Sequence, residues 1–404
     1  MSRPTVALAV SLIVSCCGCS DRPAAIHGPV RPWDTVKVDR HIVSSRTAAE
    51  VARAHRWALG AQPRFELGVS NGGGDHIFGS VEGAVMLPNG GVVVADVQAS
   101  TLLYFDTDGR FEATAGGPGE GPGEFVLLFW VGACSADSVY AYDARLGRVS
   151  VFTSHGKFER AFRLVSQGGV PVDPPRCSPN GALAVRGMPN LSNVPQTGRW
   201  VPPVPLMLAD RVGETDTIIP AFPYREYVAG STRASLAPLG GELLYGLSRD
   251  RLFAGFSDRY EIGVFTLTGR LTAVFGLDLP PRGVTQADSR GYVGEVIGGM
   301  DDAGRTRFKP WIEAHMPDHF PFFDRVVVGT GGDVWIRRYV SPVDDVHQWD
   351  VFSAHPPFIY RGSVKVPKAL EILDVRGGSV VGRWIGENGE ERVRVYTLDS
   401  SSGG

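Results

Sequence analysis

The chain has 404 residues, of which 43% are hydrophobic, with 51 glycines and 29 prolines. That composition excludes a disordered chain and means a loop-rich globular one. The formal net charge is −3 with acidic and basic residues interspersed, which gives no basic face for phosphates and argues against nucleic acid as a partner.

The chain opens with Arg3 and an apolar run, 5–14, too short to span a bilayer. Ile13, Val14, Ser15 and Cys16 resemble the lipobox of bacterial lipoproteins: aliphatic, small or β-branched, small, then cysteine. The resemblance implies a lipoprotein signal peptide over 1–15, with Cys16 as the lipidated first residue. Cys19 fits less well, since Cys16 would then stand in the aliphatic position, and an ordinary secretory signal cut nearby is the alternative. Residues 16–60 read as an N-terminal linker or tether. No later apolar run approaches the ~20 residues of a spanning helix, so the lipid is the only membrane attachment expected.

From residue 61 to 400 one unit recurs. A turn followed by an apolar strand occurs at 89–96 (NGGVVVAD), 136–143 (ADSVYAYD), 180–185 (NGALAV), 240–245 (GGELLY), 331–336 (GGDVWI) and 377–382 (GGSVVG). Each is followed by a second apolar strand, at 102–105, 149–152, 206–208, 262–265, 349–352 and 393–396. Gly-Gly and Asn-Gly pairs supply the positive φ of tight turns, and β-branched and aromatic runs suit half-buried sheet. A repeat of this size, taken with its turns, predicts four-stranded propeller blades. The fold class expected is therefore all-β, a six-bladed β-propeller. One blade alone cannot bury both of its faces, whereas a ring of them can.

Turns at 108–111 (DGRF), 155–158 (HGKF) and 268–271 (TGRL) lead into outer strands. Two insertions interrupt the pattern: a Pro/Asn-rich loop at 187–205 and about 40 residues at 278–320, where 287–300 and 305–316 are expected to be short helices. After 393–398 too few residues remain for the outer strand of the last blade. Residues 64–68 (RFELG) resemble the outer-strand segment 110–114 (RFEAT), so an N-terminal strand is expected to complete that blade and close the ring.

The stretch 87–125, and above all 119–125 (GEGPGEF), resembles the opening blade of bacterial six-bladed β-propeller lipoproteins related to NHL repeats. The resemblance implies that fold and a cell-envelope location, on the periplasmic side or at the outer membrane, and no particular activity. An NHL repeat carries Asn-x-Arg after the blade aspartate, whereas this chain has Gln98 to Thr101 and Leu146 to Arg148 there.

Several motifs bear on chemistry. The run 116–125 has the glycines of a phosphate cradle, but two prolines and two glutamates fit a crossover between blades better. His315 and His319 stand at zinc-ligand spacing, but Pro317 interrupts any helix between them and no third ligand follows, so no metal site is assigned. Asp96 and Asp143 fall at equivalent points of consecutive blades, where Arg186, Gly246, Arg337 and Arg383 stand at or near the same point of the others. These are the channel-mouth polar candidates, with capping of turn amides as the alternative for the two aspartates. Cys134 and Cys177 precede their blade turns by equal amounts, which permits a disulfide between adjacent blades or two buried thiols.

The function expected is a non-catalytic binding or scaffold protein of the cell envelope. It would be exported, lipid-anchored and monomeric, with no catalytic residue or cofactor assigned and a protein, peptide or glycan as ligand. The alternative is a metal-dependent hydrolase or lyase of the lactonase or NHL propeller type. Cys16→Ser should leave the protein unacylated and abolish its partitioning into detergent; unchanged partitioning would disprove the lipobox.

Overall fold

The computed structural model describes residues 33, 36–44, 55–68, 77–135, 137–164, 173–191, 193–230 and 234–401. Cys16 lies outside them. The chain is a six-bladed β-propeller. Blade 1 is the antiparallel meander Val81–Met86, Val92–Asp96, Thr101–Phe105 and Phe111–Gly116. Blade 2 repeats it over Leu128–Ala133, Ser138–Asp143, Arg148–Thr153 and Phe158–Arg163. In blade 3 the inner strand shrinks to Arg176–Cys177, ahead of Leu183–Arg186, Pro203–Ala209 and Thr215–Pro223. The inner strands touch in succession, and that of blade 6, Leu370–Arg376, returns to that of blade 1.

Blade 4 differs from expectation. The glycine pair at 240–241 does not open its second strand: Leu243–Leu247 is the inner strand and Arg251–Phe256 the second. The real turn, Ser248 to Asp250, needs no glycine, because Ser248 Oγ and the Ser248 amide hold it. The two glycines serve the crossover from blade 3, where Gly240 N–H donates to Ala237 and Gly241 carbonyl accepts from Glu226. Blade 5 runs over Phe323–Gly329, Asp333–Arg338, Val346–Ser353 and Tyr360–Pro367, and blade 6 continues with Ser379–Ile385 and Glu391–Ser401.

The last strand of blade 6 comes from the N-terminal segment. Phe65–Leu67 pairs antiparallel with Val393 to Val395, and Phe65 and Leu67 share one face of the strand. Leu67 is buried with Val81, Val393 and Val395, while Phe65 packs on the Gly109 turn of blade 1. Between them Glu66 pairs with Arg392 at 2.8 Å and with Arg394.

Part of the stretch expected to act as a tether is also sheet. Asp39–Ser44 adds a fifth strand, parallel to the outer strand Leu271–Asp278 of blade 4. His55–Leu59 pairs in parallel with blade 5 and antiparallel with the end of blade 6, joining their sheets edge to edge. Trp33, fully buried between blades 3 and 4, donates its indole N–H to Glu261 at 3.1 Å. The apolar content of residues 37–44 and 55–60 is modest, which is why their role is invisible without the sheet edges they cover.

Burial follows from stacking. Strands such as Val92–Asp96 are buried on both faces because each face meets a neighbouring blade. Cys134 and Cys177 form a disulfide in the core between blades 2 and 3, with Cα atoms 5.4 Å apart and a sequence separation of 43. On a chain-entropy argument a loop of that length stabilises by about 4 kcal/mol.

Leu67→Ala should destabilise the protein by about 2–5 kcal/mol in denaturant unfolding, whereas Leu236→Ala, at an exposed position, should change stability by less than about 0.5 kcal/mol. Equal midpoints for the two variants would remove the N-terminal strand from ring closure.

Candidate functional site at the axial mouth

In a four-stranded meander, the connections from second to third strand and from outer strand to the next inner strand emerge at the same end of the blade. That end is the mouth. Both insertions belong to it, one within blade 3 and one between blades 4 and 5. Gly198–Trp200, from the first, pairs with Tyr227–Ala229, which pairs with Ala234–Leu236. The second carries two helices, α1 (Gln286–Ile297) and α2 (Asp302–Ala314). Thr285 and Asp288 form a capping box on α1, and Asp301 caps α2.

Few anchors hold this rim. Arg282 grips Asp344 of blade 5 through two hydrogen bonds of 2.7 and 2.9 Å. Asp288 takes the Ser341 hydroxyl, and Phe320 stacks on Tyr339 at 5.1 Å. Arg199 joins the small sheet to α2, pairing with Glu226 at 2.9 Å and donating to the His315 carbonyl. Blades 3, 4 and 5 thus carry a raised wall.

The inner strands begin at the mouth, and their second residues differ between blades. In blades 1, 5 and 6 these are Glu82, Asp324 and Glu371; in blades 2 and 4 they are Phe129 and Leu244. Glu371 pairs with Arg325 of blade 5 and Arg383 of blade 6, and Arg383 also donates to the Val81 carbonyl of blade 1 at 2.8 Å. Burial alone would raise the Glu371 carboxyl, but Arg325, Arg383 and Arg337 outweigh it and hold it at about 2. Burial does prevail at Glu82 and Asp324, which are raised despite Arg383 and Arg337 respectively.

Blades 3 and 4 form a second charged group. Arg186 pairs with Asp173, lies 4.3 Å over the Tyr224 ring and donates to the Leu243 carbonyl. Arg225 pairs with Glu242 at 3.2 Å, and Arg176 sits 5.8 Å over Tyr245. Burial raises Glu242 against Arg225. Guanidinium groups thus bridge blades 3 to 4, 5 to 6 and 6 to 1.

The expected mouth residues divide. Asp96 and Asp143 do not face the channel. Each is buried, accepting amides from the segment leading into the inner strand (Gly79 and Ser80; Val126 and Leu127) and from its own turn (Gln98 and Ala99; Arg145 and Leu146). Carboxylates so saturated by N–H donors are structural caps. Gly246 does not occupy the equivalent point of blade 4; Phe256 does, opposite Leu243 as Asp96 is opposite Val81. Arg186, Arg337 and Arg383 do belong to the mouth, each held by a carboxylate.

The run 116–125 is the crossover to blade 2, where Arg148 donates to the carbonyls of Glu120, Gly121 and Glu124. Gly116 has φ +86° and its missing β-carbon leaves room for the Phe125 ring. His315 ends α2, its Nδ1 2.7 Å from the Trp311 carbonyl, while the His319 backbone bridges Gly283. Among the described residues no three His, Cys, Asp or Glu side chains cluster as metal ligands. Glu82, Arg325 and Glu371 were missed by sequence reasoning. For Glu82 and Glu371 the available signal was a charge directly after the first apolar residue of an inner strand.

Most of the exposed large apolar side chains among the described residues also stand at the mouth end. They include Val126 and Leu127 before blade 2, Met188, Leu236, Phe308 on α2, and Val343. The opposite end shows Phe111, Val212 and Ile359.

Residues 79–166, which span blades 1 and 2, match a family model described as a 6-bladed beta-propeller. In fold the chain is similar to a protein of Bacteroides fragilis described as exported, at 12% identity and a TM-score of 0.51, over 91% of this chain and 100% of that one. It is also similar to a DUF4221-family protein of Bacteroides vulgatus, at 12% identity and a TM-score of 0.49, over 86% and 99% of the two chains. Virginiamycin B lyase from Staphylococcus aureus aligns at 12% identity and a TM-score of 0.40, over 84% and 99%. At such identities the likeness is one of fold. None of the curated proteins compared with the chain matches it.

Because Glu371 is depressed from 4.5 to about 2 in the fold, its contribution is full above the unfolded value and is lost as pH falls towards 2. Glu371→Gln should therefore cost about 3 kcal/mol at neutral pH. The difference from wild type should shrink as pH falls from 4.5 to 2. A gap that stayed constant in unfolding curves across that range would contradict this account.

Proposed function

We propose that this chain is an exported, lipid-anchored propeller that binds a protein or peptide across its mouth and performs no chemistry on it. The observation carrying this reading is the concentration of exposed apolar side chains on the end that also bears both insertions. Surface patches of this kind, rimmed by polar groups, suit a partner's apolar side chains.

The axial charges support the same reading. Glu371, Asp324, Asp173 and Glu242 each already face an arginine, so the mouth presents arginine, tyrosine and apolar surface beside the Glu82 carboxyl. The signal-like N-terminus and the exported Bacteroides fragilis protein of similar fold support an envelope location.

A photo-crosslinking amino acid placed at Val126 or Val343 should capture a discrete partner in producing cells. The same group at Val212 or Ile359, on the opposite end, should not. Equal adducts from both ends, or none from the mouth, would sink the proposal.

A further inference from the structure

The end opposite the mouth carries a cavity of about 300 Å³ between blades 2 and 3. Three turns wall it, contributing Ser135 and Ser138 from blade 2 and Gly181 and Arg211 from blade 3. Tyr140 and Arg160, on the second and outer strands of blade 2, complete the lining used below. Cys134 and Cys177 lead into the first two of these turns, so their disulfide fixes the spacing of the walls.

Two guanidinium groups meet there. Arg160, half-buried, donates to the Tyr140 hydroxyl at 3.3 Å and across the blade boundary to the Arg211 carbonyl at 2.7 Å, and it lies 5.1 Å over the Phe162 ring. Arg211 is exposed. Among the described residues neither guanidinium pairs with a carboxylate, unlike Arg186, Arg337 and Arg383 at the mouth. No carboxylate lines the cavity, and that of Asp210, next to Arg211, accepts the Val212 and Glu214 amides of its own turn. Gly181 has φ +86°, and a β-carbon there would come within 3.1 Å of the Arg211 β-carbon and 3.0 Å of the Tyr140 hydroxyl. Glycine therefore makes the turn and admits both side chains to the same space.

We infer that this cavity binds a phosphate group, as the free ion or as a small phosphate ester. Two uncompensated guanidinium groups select an anion. The part-exposed hydroxyls of Ser135 and Ser138 add donors, since Ser135 Oγ already accepts the Asp137 amide at 3.3 Å and keeps its hydrogen to give. A carboxylate has two oxygens, and one guanidinium fork fills both. A tetrahedral phosphate has oxygens for Arg160 on one blade, Arg211 on the other and a serine between them. The cavity lies at the small end of ligand sites, roughly 300–1,000 Å³, as a ligand of this size requires. It and the mouth occupy opposite ends of the ring, so this inference stands apart from the proposed protein partner.

Phosphorus NMR titrations of the full chain with inorganic phosphate and with glycerol 3-phosphate test it. At least one should show saturable binding that acetate at equal concentration does not displace; the tighter of the two tells the free ion from the ester. Arg211→Gln should weaken binding about tenfold with the melting temperature preserved, and Arg160→Gln at least as much. Arg163→Gln, the same loss of charge on the same strand but outside the cavity, should leave it unchanged. Saturation by neither ligand, displacement by acetate, or affinity untouched by Arg211→Gln would overturn the site.

Discussion

A blade of this protein has two apolar faces, and only another blade can cover each of them. Strands such as Val92–Asp96 and Leu183–Arg186, buried along their whole length, have no stable form outside a closed ring. The constraint reaches every other feature. It sets where the N-terminal segment must lie, why a disulfide and several guanidinium groups sit at blade boundaries, and why variable sequence is confined to the connections. Tyr260, Arg338 and Tyr360 gathered on the buried carboxylate of Asp350 do for the boundary between blades 4 and 5 what Arg325 and Glu371 do for the next.

This division of labour bears on the proposed recognition. Ionised groups near the axis are engaged with one another, and removing one member of such a pair leaves an uncompensated charge in a partly dry place. A mouth organised in this way is rigid at its centre. Adaptable surface lies on the wall of α1, α2 and the small sheet, which few buried residues hold: Asp288 and Val293 in α1, Ile312 in α2.

The parts of the fold legible in the sequence were those written locally. Glycine turns and alternating strands occur within a few residues, and the likeness of 64–68 to 110–114 was enough to place the closing strand. Blade 4 was misread because its true hairpin, Ser248 to Asp250, lacks the glycine signature, while the adjacent glycine pair belongs to a crossover. The axial charges could not be read at all: Arg325 meets Glu371 across 46 residues, and Arg383 meets Val81 across 302. Asp96 and Asp143 announced themselves by regular placement, yet regularity there reflects a turn each blade must make. The place of Trp57 between blades 5 and 6 was equally hidden, since the strand that carries it shows no strong sequence pattern.

The strand Phe65–Leu67 also sets a timetable. It is made among the first residues of the ring, and its partner is made among the last, with Glu66 and Arg394 separated by 328 positions. Such a contact forms late and slowly, because the intervening chain must be ordered before its ends can meet. A ribosome-bound chain therefore holds an open arc with an uncovered blade at each end. The same arrangement that locks the finished ring keeps the growing chain threadable until its final blade has been delivered.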